Sequence, residues 1–139
     1  RLADKVIKGS VLELFDVEVK TIRYRNTGRE LATKYAKKVQ KIRACFSVSA
    51  NKFSDAEIKT VYLQVLDGGG NLVLGVDTIT TIIADSIYSC TSFAEFEYEN
   101  IEMTHCFEWE RVQVLLPGMY RFSLIIEGGI AAQTNLKLR

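Results

Sequence analysis

Lys41-Ile42-Arg43-Ala44-Cys45-Phe46-Ser47-Val48-Ser49, within an extended stretch over residues 37–49, alternates residue by residue, with Ile42, Ala44, Phe46 and Val48 on one side and Arg43, Cys45, Ser47 and Ser49 on the other. Successive side chains of an extended chain point to opposite faces, so this spacing predicts a strand that is dry on one face and wet on the other. The same pattern recurs outward from it. Residues 59–66 place Val61, Leu63 and Val65 together, and residues 92–99 set Ala94, Phe96 and Tyr98 against Glu95, Glu97 and Glu99. Residues 103–109 put Met103, His105, Phe107 and Trp109 on one side; Tyr120, Phe122, Leu124 and Ile126 alternate further on, and residues 130–138 close the chain. Upstream, residues 11–24 form an extended segment with Leu12, Leu14, Val17, Val19 and Ile22 among its apolar positions.

Turn residues separate these segments. Asn26-Thr27-Gly28, Leu116-Pro117-Gly118 and Gly128-Gly129 are breaks, and Asp67-Gly68-Gly69-Gly70-Asn71 predicts a hairpin loop returning through residues 72–74. Tyr35-Ala36-Lys37-Lys38-Val39 has two readings: the approach to the strand, or the continuation of a short helix from Glu30. The chain's 139 residues suit one domain and can bury a core without a metal or disulfide staple. About seven to nine short strands, each with one apolar face to hide, predict an all-β fold, an immunoglobulin-like antiparallel β-sandwich over residues 10–139. Residues 1–9 differ. Leu2, Val6 and Ile7 lie about a turn apart and Gly9 is a stop signal, which predicts a helical stub. One or two turns are marginal alone in water, so the stub reads as the end of a longer helix or coiled coil, in a chain that starts at Arg1 as a piece of a larger protein.

Composition narrows the function classes. Hydrophobic residues make up 47% and charged residues 25%, which is globular rather than disordered. No apolar run approaches the roughly 18 residues of a transmembrane helix. Net charge is +1, too small for a long-range pull toward nucleic acid or anionic membrane. The distribution is uneven: residues 1–43 carry twelve Lys and Arg against five Asp and Glu, and residues 95–110 hold six glutamates. Such polarity either orients a partner or amounts to two solvated faces.

Four stretches taken together resemble a known architecture: residues 37–46, residues 59–67, Phe96-Glu97-Tyr98-Glu99-Asn100 leading to Cys106-Phe107-Glu108-Trp109, and Gly118-Met119-Tyr120-Arg121-Phe122. They resemble the C-terminal β-domain of uncharacterised proteins of the Bacteroidota, in which a long coiled coil precedes an immunoglobulin-like β-sandwich. The resemblance covers nearly the whole chain and puts the stub where the coil would end. It implies a fold and an architecture, and brings no activity and no functional residues.

Candidate chemistry is sparse. His105 adjoins Cys106, but neighbours on a strand point to opposite faces and cannot form a dyad, so His105 is expected at the core edge beside Phe107 and Trp109. Cys45, Cys90 and Cys106 match no zinc spacing. The second and fifth strands of an immunoglobulin-like topology are neighbours in one sheet, which makes Cys45 and Cys106 a candidate cross-strand pair on its outer face. An odd cysteine count leaves a free thiol and slightly favours a reducing, cytoplasmic setting. The glycine loop at 67–71 lacks the Gly-Lys-Ser/Thr of a phosphate cradle, and Asp67, Asn71 and Asp77 are too few for calcium, so a plain turn is the better reading. Glu95, Glu97 and Glu99 share one wet face, unlike the split environments of a glycosidase pair.

The basic cluster Arg23, Arg25, Arg29, Lys34, Lys37, Lys38, Lys41 and Arg43, with Tyr24 and Tyr35 interleaved, is the strongest functional signal. It suits a solvated face or a surface for an acidic partner; phosphates and stacked bases are the alternative, against which stands the lack of any nucleic-acid motif. The reading is a non-enzymatic structural or protein-interaction module ending a coiled-coil protein, without cofactor or metal, that self-associates through the upstream helix. The rival is a module for peptide or carbohydrate that uses the sandwich-end loops, with Tyr62, Tyr88 and Phe53 as exposed aromatics to check.

Overall fold

A computed structural model describes residues 12–51 and 55–139. The expected helical stub at 1–9 and Phe53 lie outside the described residues. Ten strands follow in order: β1 (Leu14–Tyr24), β2 (Glu30–Ala32), β3 (Lys41–Val48), β4 (Glu57–Leu66), β5 (Ile79–Ile83), β6 (Ser86–Cys90), β7 (Ser92–Tyr98), β8 (Met103–Glu110), β9 (Gly118–Ile126) and β10 (Gly129–Leu138). They form one four-stranded sheet, β2-β1-β3-β8, a second, β10-β9-β4-β7, and a separate β5-β6 hairpin, with every pairing antiparallel. Two sheets joined by strands that cross between them are an all-β sandwich. Its order is immunoglobulin-like: β1, β3 and β8 take the places of strands A, B and E, and β4, β9 and β10 those of C, F and G, with β7 alongside C.

The alternation in β3 explains why the sheets face each other. Ile42, Ala44, Phe46 and Val48 are buried, and they meet Val61, Leu63 and Val65 of β4 and Tyr120, Phe122, Leu124 and Ile126 of β9 in one core. Phe46, Leu63, Phe122 and Leu124 are at most 1% exposed. Each such side chain contributes about 1.5–3 kcal/mol by leaving water. Two hydroxyls tie the layers together. Tyr98 donates to the Ser49 carbonyl (3.0 Å) and accepts from the Asn51 amide (2.7 Å), fixing the exit of β3. Tyr120, at the start of β9, accepts from the Leu116 amide (3.1 Å) and donates to the Leu116 carbonyl (2.5 Å). This hydroxyl-to-backbone link at the corner between the two sheets is the tyrosine corner of Greek-key sandwiches.

Three local expectations need correction or refinement. Residues 72–74 return against β4 as expected but are too short to be a regular strand: Leu72 bridges Leu66, and the Val73 amide donates to the Val65 carbonyl (2.8 Å). Glu30–Ala32 is a short strand paired with β1, and only Ala36–Lys38 turns, as one 3-10 turn, so no helix runs from Glu30. The last hairpin turns on Glu127 and Gly128 (φ 51° and 77°), and Gly129 already belongs to β10. The β5-β6 hairpin is an addition to the expected seven to nine strands. Its two-residue turn is Ala84-Asp85, both at positive φ (49° and 67°), where the usual sequence signal is Asn-Gly or Asp-Gly. Without that signal, residues 79–90 do not announce a hairpin.

Candidate functional site

The basic segment divides where β3 begins. Lys41 and Arg43 lie on the outer face of the β2-β1-β3-β8 sheet, opposite Glu110 and Glu108 of β8. The Lys41 ammonium pairs with Glu30 of β2 and with Glu108 (3.0 Å), and stands 5.3 Å above the Tyr24 ring. Arg43 donates from Nη2 to Glu30 (3.0 Å) and from Nε to Glu108 (2.7 Å). Hydrogen bonds from Lys41 first, then from Arg43, hold the Glu30 and Glu108 carboxyls below their usual range. Lys41 is pushed up, chiefly by its bonds to Glu30 and then Glu108. Two cations and two carboxylates cancel, so this part of the cluster has no charge left for a partner.

The same face continues down the β3-β8 ladder. Cys45 stands opposite Cys106 and is joined to it by a disulfide, with Cα atoms 4.1 Å apart. Ser47 stands opposite Thr104, with hydroxyls 2.9 Å apart. Ion network, disulfide and hydroxyl pair are three successive cross-strand pairs. The third cysteine, Cys90, is buried, and burial pushes its thiol up. An odd count therefore coexists with a bridge, and gives no reason to favour a reducing setting.

Arg23, Lys34 and Lys38 gather elsewhere, at the end of the sandwich, and Arg139 joins them. They surround an open cleft of about 380 Å³ floored by Ala32 and Thr33. Tyr35, 51% exposed, stands among them, with the Lys38 ammonium 5.7 Å and the Arg139 guanidinium 5.2 Å from its ring centre. Among the described residues no carboxylate is paired with any of the four cations. The backbone beneath is fixed. Buried Thr21 donates to the Thr33 carbonyl (2.5 Å), and the Thr33 hydroxyl accepts from the Tyr35 amide (3.1 Å). Arg139 donates to the Lys34 carbonyl (2.7 Å) and accepts from the Ala36 amide (2.9 Å), so residues 34–36 lie like a short strand against the end of β10. Ala36 and Val39 are fully buried and anchor the 3-10 turn.

Arg25 and Arg29 flank the β1-β2 turn, where the Arg25 amide donates to the Arg29 carbonyl (2.8 Å), and Lys37 is exposed on the 3-10 turn; none of the three lines the cleft. The eight-residue cluster is thus three groups. Sequence reading missed Arg139, which lies more than a hundred residues from its neighbours, and the partners Glu30 and Glu108. The cysteine pair carried a usable signal for Glu108: once Cys45 is set opposite Cys106, antiparallel counting sets Arg43 opposite Glu108.

The other candidates occupy structural positions. His105 is half-buried on the same face of β8 as Phe107 and Trp109, at the core edge, with its ring against Phe46 across the ladder (5.8 Å) and Phe96 of the facing sheet (5.7 Å). Burial pulls its pKa down. Asp67 Oδ1 accepts from the Gly69 and Asn71 amides (2.9 Å each), which commits that carboxylate to its own turn. Tyr62 packs against Phe93 (6.3 Å), Tyr88 is exposed on β6, and Glu95, Glu97 and Glu99 are exposed. Among the described residues, no group of three or more His, Cys, Asp or Glu is placed to hold a metal, and no helix is long and apolar enough to cross a membrane.

Strand order, tyrosine corner and core together define an immunoglobulin-like β-sandwich whose loop end carries an open basic cleft. Residues 15–139 match the family described as domain of unknown function DUF8428, and the chain belongs to that family. No curated protein matches the chain.

Proposed function

We propose that the domain is a non-catalytic protein-interaction module that meets an acidic partner with the loop end of its sandwich. One observation carries this reading: nearby carboxylates neutralise Lys41 and Arg43, while Arg23, Lys34, Lys38 and Arg139 converge on one cleft with no Asp or Glu side chain paired to them among the described residues. Gathering like charges costs Coulomb energy, and an anionic partner would recover it. The resemblance to coiled-coil proteins of the Bacteroidota supplies the architecture of this proposal, a binding domain at the end of a self-associating stalk. The Cys45–Cys106 bridge, on an outer face, fits an oxidising compartment.

The test is equilibrium binding of a glutamate-rich peptide, a lysine-rich control and duplex DNA across a salt series. Binding to the glutamate peptide that weakens with salt supports the proposal. Its absence at low salt, or tighter binding of DNA, refutes it.

A further inference from the structure

We infer that the cleft around Tyr35 is a receptor for a phosphomonoester dianion carried by that acidic partner; this rests on the reading above and narrows it to one chemical group. Three features argue for it. The first is charge density. A carboxylate brings one negative charge and two oxygens, and successive acidic side chains of a peptide are held apart by the backbone, so a plain acidic run would leave much of the charge of Arg23, Lys34, Lys38 and Arg139 unmet in a cleft of about 380 Å³. A phosphomonoester brings a charge of about −1.5 to −2 at neutral pH and three acceptor oxygens to one point.

The second feature is the donor set. Two guanidinium forks, two ammonium groups and the Tyr35 hydroxyl can all donate, and the one hydroxyl in the floor, on Thr33, already accepts from the Tyr35 amide. A ligand rich in donors, such as a neutral sugar or amide, would find few acceptors there. A dianionic phosphoryl group only accepts. The third feature is pre-organisation. The Tyr35 ring attracts both Lys38 and Arg139 and so offsets their mutual repulsion, and the bonds between Arg139, Lys34 and Ala36 fix the backbone that presents them. Little ordering cost then remains to be met on binding.

The test is an amide NMR titration of the whole chain with inorganic phosphate, inorganic sulfate and acetate at constant ionic strength, repeated with three peptides differing only in phosphoserine, glutamate or serine at the centre. The expected result is shifts confined to residues 23, 32–38 and 139, with phosphoserine bound about tenfold more tightly than glutamate. The charged and titratable side chains that line the cleft are Arg23 from β1, Lys34, Tyr35 and Lys38 from the β2-β3 connection and Arg139 after β10, with no histidine or acidic side chain among them. Binding of the phosphoserine peptide should therefore weaken at pH 5, below the second pKa of about 6 of a phosphomonoester, while sulfate binding holds. The variants Lys38→Ala and Tyr35→Ala, their folding checked by thermal melt, should each lose most of the affinity. Equal affinity for the glutamate and phosphoserine peptides overturns this inference and leaves the acidic-partner reading standing. Phosphoserine binding with no binding of the peptide carrying a single glutamate upholds the inference. Phosphate shifts that survive Lys38→Ala and Tyr35→Ala together mark non-specific ion binding and overturn it.

Discussion

Lys38 and Lys41 stand three residues apart and have opposite circumstances. Lys41 opens β3, is almost fully buried, and lies between Glu30, Glu108 and the Tyr24 ring. Lys38 closes the 3-10 turn, is exposed, stands over the Tyr35 ring, and among the described residues shares its cleft with three other cations and no acidic side chain. The difference comes from position in the sandwich. On a sheet face, cross-strand neighbours sit about 5 Å away and evolution can place a carboxylate on each side. At a strand end the chain turns away, and what surrounds a side chain is whatever the loops and the terminal residues of other strands bring. One basic run therefore contributes to stability at one end and presents unmet charge at the other.

The sharpest way to break this comparison is to attack the face. The Cys45–Cys106 bridge closes a loop with a sequence separation of 61 residues. Replacing both cysteines by alanine should lower stability by about 4 kcal/mol on loop entropy, read as a reduced urea midpoint, while peptide affinity at the far end stays the same. Lost affinity with an unchanged midpoint would reverse the roles assigned to face and end. Next in size, Arg139→Ala should weaken the glutamate-rich peptide about tenfold (about 1.4 kcal/mol) and leave the melting temperature unchanged.

A smaller effect belongs to Glu108→Gln. Its carboxylate is about two-fifths exposed, so water screens it and the loss should be about 1 kcal/mol at neutral pH. The sign of its pH dependence follows from the depressed carboxyls of Glu30 and Glu108. Their contribution is complete above the ordinary carboxylate range and is lost as pH falls through and below it. Wild type and Glu108→Gln should thus differ most near neutrality and converge in acid; a gap that widens in acid would contradict the pairing. Smallest of all, Lys37→Ala should change stability by less than about 0.5 kcal/mol, as an exposed substitution outside both groups.

How much of this could be read without coordinates depends on the range of the interaction. The alternation of Ile42, Ala44, Phe46 and Val48 is local, and with its repeats it is enough for a half-buried strand, a sandwich and an outer-facing Cys45. The β5-β6 hairpin was hidden because Ala84 and Asp85 adopt positive φ without the Asn or Gly that would advertise it. Residues 72–74 do return against β4, through the Leu66–Leu72 bridge and the hydrogen bond from the Val73 amide to the Val65 carbonyl, without becoming a regular strand. The basic run was visible and its division was not. Which lysine is neutralised depends on Glu30 reaching across β1 and on Glu108 from a strand 65 residues away, and Arg139 reaches its neighbours only because β10 ends beside residues 34–36. Charge in a sequence is local information, whereas its neutralisation is decided by register.

A paired charge reversal tests that division most directly. Unfolding free energy and glutamate-peptide affinity are measured for Lys41→Glu and for Lys38→Glu. The account predicts that Lys41→Glu, facing Glu30 and Glu108, lowers stability with affinity intact, and that Lys38→Glu abolishes binding with stability intact. If both variants move the same quantity, the basic run is one surface and the division proposed for it is wrong.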